Sequence, residues 1–152
     1  LMPTNTFGPN DNYNALNSHF FPALIKKVHD LKLNNKKELT LWGNGLAKRE
    51  VIYVDDLADA CIFFMKKSFS GTTLNIGTGK DFSIKQYAKI ILNRIMPKNK
   101  IKIKYDLSKP NGTPRKVLDI KLANKYGWKP KTQLDEAITK TYLNFLENNK
   151  IV

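Results

Sequence analysis

Apolar residues recur at Phe20, Leu24, Val28 and Leu31, a spacing that collects them on one side of a helix. The polar pair Asn17-Ser18 just before this stripe suits a helix start, so the pattern predicts a helix from about Ser18 to Lys32. Two short extended segments follow, 39–42 and 51–54, with Gly43-Asn44-Gly45 breaking the chain between them. Asp55-Asp56 then opens a second helix in which Leu57, Ala60, Cys61, Phe64 and Met65 share a face, so Cys61 is expected in the core. Thr73 to Gly77 reads as a strand ending in a glycine turn. Ser83 with Gln86 has the spacing of a capping box, and the helix it opens points Ile84, Tyr87, Ala88, Ile91 and Ile95 inward until Pro97 ends it. Ile101, Ile103 and Tyr105 alternate with lysines, the period of a half-exposed strand. After the turn-forming run Lys109 to Pro114, a last helix begins near Leu134, with Ala137, Ile138, Thr141, Tyr142 and Phe145 on one side.

Strands and helices are interleaved without repeats, which excludes an all-β fold and leaves α/β or α+β. A chain of 152 residues with 41% apolar content can bury one ordinary core. No run reaches the roughly 18 consecutive apolar residues of a membrane helix, and no apolar stretch follows a basic start, so the expected location is the cytoplasm. A lone Cys61 forms no internal disulfide. The net charge of +13 raises the alternative of a basic nucleic-acid-binding module. Its positive residues are nearly all lysine, however, and only Arg49, Arg94 and Arg115 carry the planar fork suited to bidentate contacts. The expectation is a lysine-rich solvated surface that attracts an anionic nucleotide, with no nucleic acid and no membrane as partner.

Candidate chemistry is sparse. Gly43-Asn44-Gly45 and Gly77-Thr78-Gly79 each lack the third glycine of a dinucleotide-binding turn. Tyr105 and Lys109 have the Tyr-x-x-x-Lys spacing of short-chain dehydrogenases, but they follow an alternating strand and run into Pro110, which disfavours the shared helical face that motif needs. No metal-ligating set stands out. His19, beside an Asn-rich loop and off the apolar stripe, is the candidate proton donor or acceptor, whereas His29 sits mid-helix among charged residues.

Several runs resemble one family. Pro3-Thr4-Asn5-Thr6-Phe7-Gly8-Pro9-Asn10-Asp11-Asn12, then Asn17-Ser18-His19 with Pro22-Ala23-Leu24, resembles the stretch after the catalytic Tyr and Lys of GDP-L-fucose synthases. Leu41-Trp42-Gly43, Arg49-Glu50, Tyr53-Val54-Asp55-Asp56-Leu57-Ala58, Asn75-Ile76-Gly77-Thr78-Gly79 and Gly127-Trp128 follow in the family's order. So does the narrower Ser108-Lys109-Pro110 and Gly112-Thr113-Pro114-Arg115-Lys116 run, with Asn111 in place of a frequent aspartate. The resemblance covers essentially the whole chain. Leu1 opens mid-pattern, which reads as the C-terminal half of a longer polypeptide.

The resemblance implies an extended short-chain dehydrogenase of Rossmann type. Residues 1–9 and 50–79 complete the NADP-binding sheet, and 10–49 with 80–152 form a small α+β substrate-binding domain. It implies an enzyme that epimerises C3 and C5 of GDP-4-keto-6-deoxy-D-mannose and reduces C4 with NADPH. His19 matches the family's catalytic histidine and also touches cofactor. Pro3, Thr4, Asn5 and Thr6 match the strand end on the nicotinamide side, with Thr6 replacing a usual leucine. Lys27, Trp42, Arg49 and Lys116 match positions facing the GDP-sugar, Lys27 standing where arginine is common. The catalytic cysteine and the Ser-Tyr-Lys set lie upstream, most of the NADP(H) contact with them, so this chain alone is expected to be inactive. The full enzyme is expected to be a homodimer. The rival readings are another NAD(P)-dependent nucleotide-sugar epimerase, dehydratase or reductase, and a non-catalytic relic that only binds sugar nucleotide.

Overall fold

Ser83 and Gln86 close a reciprocal capping box, with the Gln86 amide donating to Ser83 Oγ at 3.2 Å and the Ser83 amide donating to Gln86 Oε1 at 2.8 Å. This satisfies two of the donors that a helix start leaves free and fixes where α3 (Ile84–Ile95) begins. The computed structural model describes residues 1–14, 17–67, 71 and 73–148. In chain order the other elements are β1 (Met2–Pro3), β2 (Asn5–Phe7), α1 (Phe20–Leu33), β3 (Glu38–Trp42), β4 (Lys48–Tyr53), α2 (Val54–Met65), β5 (Asn75–Ile76) and β6 (Asp81–Ser83). After α3 come β7 (Lys102–Asp106), β8 (Arg115–Lys116), α4 (Lys121–Lys125) and α5 (Leu134–Asn148).

The architecture is mixed α/β with mainly parallel pairing. β1 runs parallel to β5, and β2 runs parallel to β4 in register Asn5↔Val51. β6 joins the first half of β4 antiparallel, and β8 joins it parallel. β3 and β7 form a separate parallel pair. α1, α3 and α5 pack together over Phe7, Leu39, Leu41, Val51 and Tyr53, making the larger core. A smaller cluster joins Ile52, Ala60, Phe64, Leu74, Ile76, Ala123 and Trp128.

Glu50 ties these parts together. It is fully buried, at 0% exposure. Its Oε1 accepts from the backbone amides of Thr78 at 2.5 Å and Gly79 at 2.6 Å, and its Oε2 from that of Leu118 at 2.7 Å. Its backbone carbonyl accepts from the side chains of Asn5 at 2.9 Å and Thr4 at 3.2 Å. A side chain at Gly77 would collide with this carboxylate, and Gly79 adopts φ of +68°, so the glycine turn is shaped around a buried acid. Asp56 makes a second such junction, accepting from the amides of Lys131 at 3.2 Å and Thr132 at 3.1 Å just before α5.

Several expectations shift. α1 starts at Phe20 with His19 as its N-cap, and no side chain caps it, so Asn17-Ser18 does not serve that role. Pro22 sits in the first turn, where its missing N–H leaves no bond unmade. Val54 begins α2 rather than ending β4, and the strand expected from Thr73 shortens to two residues. Cys61 is exposed, not core, and Met65 is 85% exposed. α2 is apolar on more than one side: Ala60 and Phe64 are buried against Trp128 and Leu74, while Cys61, Ile62 and Met65 face outward. His29 is buried, with Nδ1 3.0 Å from the Tyr142 hydroxyl and its ring edge-on to Phe145.

Replacing Glu50 with Gln puts an NH2 group against amide donors, so urea unfolding should show a loss of about 2–3 kcal/mol. His29 supplies a pH signature. Burial, helped by the charges of Lys26 and Lys32 and opposed by Asp30, holds its pKa below the usual 6.5. The unfolded chain therefore takes up the proton first as pH falls. Stability should be level above about pH 6.5 and decline below it in pH-dependent thermal unfolding, and His29→Gln should flatten that decline.

Candidate functional site

The site is built where the N-terminal strand, the start of α1 and the loop before β8 converge. One hollow, about 320 Å³, is lined by Lys27, Trp42 and Arg49, with Ser18, Phe20 and Asn111. A wider one, about 820 Å³, runs between Pro3–Thr6, His19 and the strip from Arg115 to Leu118. They adjoin at two places. Ser18 and Phe20 line the first while His19 between them lines the second, and Arg49 of the first is the register partner of Lys116 of the second.

The sequence candidates therefore fall into two neighbouring groups. His19 shares its hollow with Pro3, Thr4, Asn5, Thr6 and Lys116, not with Trp42 and Arg49. Its backbone is extended, φ −65° and ψ 162°, and its exposed ring lies at the mouth of α1 without a side-chain capping bond. Asp11 lies close enough to His19 to feel its charge. Burial raises the Asp11 carboxyl above its usual range, opposed by amide bonds from Asn12 and Gly8 and by His19.

In the other hollow the Lys27 ammonium lies 3.3 Å from the Thr40 carbonyl oxygen and 5.5 Å from the centre of the Trp42 ring. Burial lowers its pKa. Lys109 places a second ammonium 5.7 Å from the same ring, which is 61% exposed. An exposed indole between cations offers a flat apolar face next to positive charge, a combination suited to a base or sugar carrying phosphate. Arg49 plays a different part from a free anion clamp. Its Nη1 donates to the Thr113 carbonyl at 2.6 Å and to that of Lys48 at 2.7 Å, so it holds the turn after Pro110 in place. Asn111 Oδ1 accepts from the Asn44 amide at 2.7 Å and joins that turn to the glycine turn after Trp42.

Arg115 reaches back to Asp81, with Nε donating to Oδ2 at 2.5 Å and Nη2 to Oδ1 at 3.4 Å. That bond is the main reason the Asp81 carboxyl sits below its usual range. Tyr105 and Lys109 are not a catalytic pair: Tyr105 is in β7, and Lys109 follows a turn. No group of three or more His, Cys, Asp or Glu suited to a metal occurs among the described residues, and no helix among them is long and apolar enough to cross a membrane. Glu50, Asp81 and Asp11 escaped the sequence reading. The one local sign for Glu50 was an acid beside the apolar run Val51-Ile52-Tyr53, which only a buried set of donors could tolerate.

The description "NAD dependent epimerase/dehydratase family" matches residues 1–77. This chain belongs to that family. It is similar to the putative GDP-L-fucose synthase 2 of Arabidopsis thaliana, 42% identical over 97% of this chain and 44% of the relative. It is also similar to the GDP-L-fucose synthase of Escherichia coli K12, 36% identical over 97% of this chain and 48% of the relative. A GDP-L-fucose synthetase of Naegleria fowleri, solved with NADP bound, superposes with a TM-score of 0.86 at 26% identity, covering all of this chain and 47% of that one. The epimerase/dehydratase chain thus spans about half the length of the curated relatives it matches.

The two indoles of this family member make the Trp42 geometry measurable, because Trp128 is buried at 2% exposure. Iodide, drawn to Lys27 and Lys109, should quench the accessible fluorescence more steeply than caesium or acrylamide. Trp42→Phe should abolish the iodide component and leave the buried emission.

Proposed function

We propose that the whole protein is a GDP-L-fucose synthase, which epimerises C3 and C5 of GDP-4-keto-6-deoxy-D-mannose and reduces C4 at the expense of NADPH. The observation that carries this reading is relatedness along nearly the entire chain to synthases of that name, at 36–42% identity. The hollow shared by His19, Pro3–Thr6 and Lys116 supports it.

The residues present fit one edge of a nicotinamide cofactor. Thr4 and Asn5 bind the Glu50 carbonyl, and the Thr4 amide donates to Ile76 at 2.9 Å, so Pro3–Thr6 is a fixed lining beside His19. A nicotinamide cofactor held along this lining would supply the hydride for reduction at C4. Epimerisation needs a proton removed next to the ketone and one returned on the opposite face, which calls for acid and base groups on two sides of the sugar. His19 is the acid on this side. Lys27 and Lys116 provide charge for the diphosphate, Trp42 a face for an apolar part of the ligand, and Arg49 both charge and the shape of the 110–114 turn. Residues 1–9 and 50–79 belong in this reading to the cofactor-binding sheet, and 10–49 with 80–152 to the substrate domain. The proposal extends to a cytoplasmic homodimer.

The whole protein should oxidise NADPH with GDP-4-keto-6-deoxy-D-mannose and not with UDP-linked ketosugars; equal turnover of both would reassign it to another nucleotide-sugar epimerase or reductase. His19→Asn should lower kcat roughly 10²–10⁴-fold, the range of a lost acid/base group, with KM nearly unchanged. It should also suppress deuterium uptake from D2O into the sugar.

A further inference from the structure

Glu50 and Asp81 face each other as register partners on β4 and β6. Side chains opposite one another on an antiparallel pair project from the same face, where like charges repel. Each carboxylate here is occupied, and both reach the same strip of chain. Asp81 receives the Arg115 guanidinium, and Glu50 receives the Leu118 amide. The strip between these anchors also lies along β4, where the Lys48 amide donates to the Pro114 carbonyl at 2.8 Å. Lys116 and Val117, held between the two anchors, line the hollow opposite Pro3–Thr6 and His19.

We propose that Glu50 and Asp81 are positioning residues: one cross-strand pair of carboxylates pins the Arg115–Leu118 strip at both ends and so presents Lys116 to the diphosphate of a nucleotide sugar. This rests on the functional reading above. Each carboxylate of the pair bonds to the strip, Asp81 to Arg115 and Glu50 to Leu118, while the Thr78 and Gly79 amides fill the other oxygen of Glu50. The pairing also gives Arg115 a task distinct from that of Lys116. Arg115 ties one end of the wall to Asp81, and Lys116 meets the ligand.

Asp81→Asn is the main variant, because it leaves the fully buried Glu50 network intact. In the whole protein it should raise KM for the GDP-linked ketosugar about tenfold, the loss of one charge-assisted bond's worth of placement, with kcat within about twofold and KM for NADPH unchanged. The swapped pair, Asp81→Arg with Arg115→Asp, should bring KM back to within about threefold of the parent. A readout without ligand accompanies these. Amide hydrogen exchange at residues 115–118 should quicken about fivefold or more in Asp81→Asn while β3 and β7 exchange as before. Unchanged exchange in the strip sinks the proposal. So does an unchanged KM, or no recovery in the swapped pair, when the parent turns over the ketosugar. Faster exchange in a protein whose parent does not use that sugar leaves the anchoring standing and removes the functional reading alone.

Discussion

A single carboxylate in the dark of the protein sets the terms for the rest. Ionised or not, a carboxyl group stripped of water is tolerated only when donors surround it. Glu50 finds them in the amides of Thr78, Gly79 and Leu118, groups brought together from well-separated parts of the chain. The glycine turn after β5 is bent to supply two of them. The residues before α4 supply the third. Because the same residue's carbonyl takes the side chains of Thr4 and Asn5, the N-terminal segment, the central strand, the glycine turn and the Arg115–Leu118 strip share one anchor. Two of the pieces this anchor joins, the N-terminal segment Pro3–Thr6 and the strip Arg115–Leu118, bound the hollow that holds His19.

How much of this can be read from letters depends on how local the cause is. The box at Ser83 and Gln86 spans three residues, and its helix and inward face appear in the structure as the pattern predicts. The alternation around Ile103 and the strand character of Tyr105 are equally local. Cys61 was misplaced because α2 carries apolar residues on both flanks, and the pattern alone cannot say which flank meets Trp128, a residue from far along the chain. His29 was passed over for the same reason. Its neighbours in sequence are charged, but its neighbours in space are Tyr142 and Phe145 of α5.

The candidate site shows the same division. The residue types at His19, Lys27, Trp42, Arg49 and Lys116 came from resemblance to a family, and their chemistry was plausible one residue at a time. Their grouping into two adjoining hollows was not accessible, because it follows from α1 starting between them and from β8 lying against β4. Nor could spacing reveal that Arg49 is bound to carbonyls or that Lys109 joins Lys27 beside the indole. The sequence names the groups, and long-range pairing decides their company.

The parallel pair β3–β7 carries a kinetic implication. Leu39 meets Ile103 only after β4, α2, β5, β6 and α3 have been traversed, and parallel strands joined through so much intervening chain lose a large amount of loop entropy before any pairing rewards them. Trp42 ends β3, so the indole face between the two lysines cannot be in place until this late closure is made. On a ribosome, that half of the site is assembled only after most of the chain has emerged.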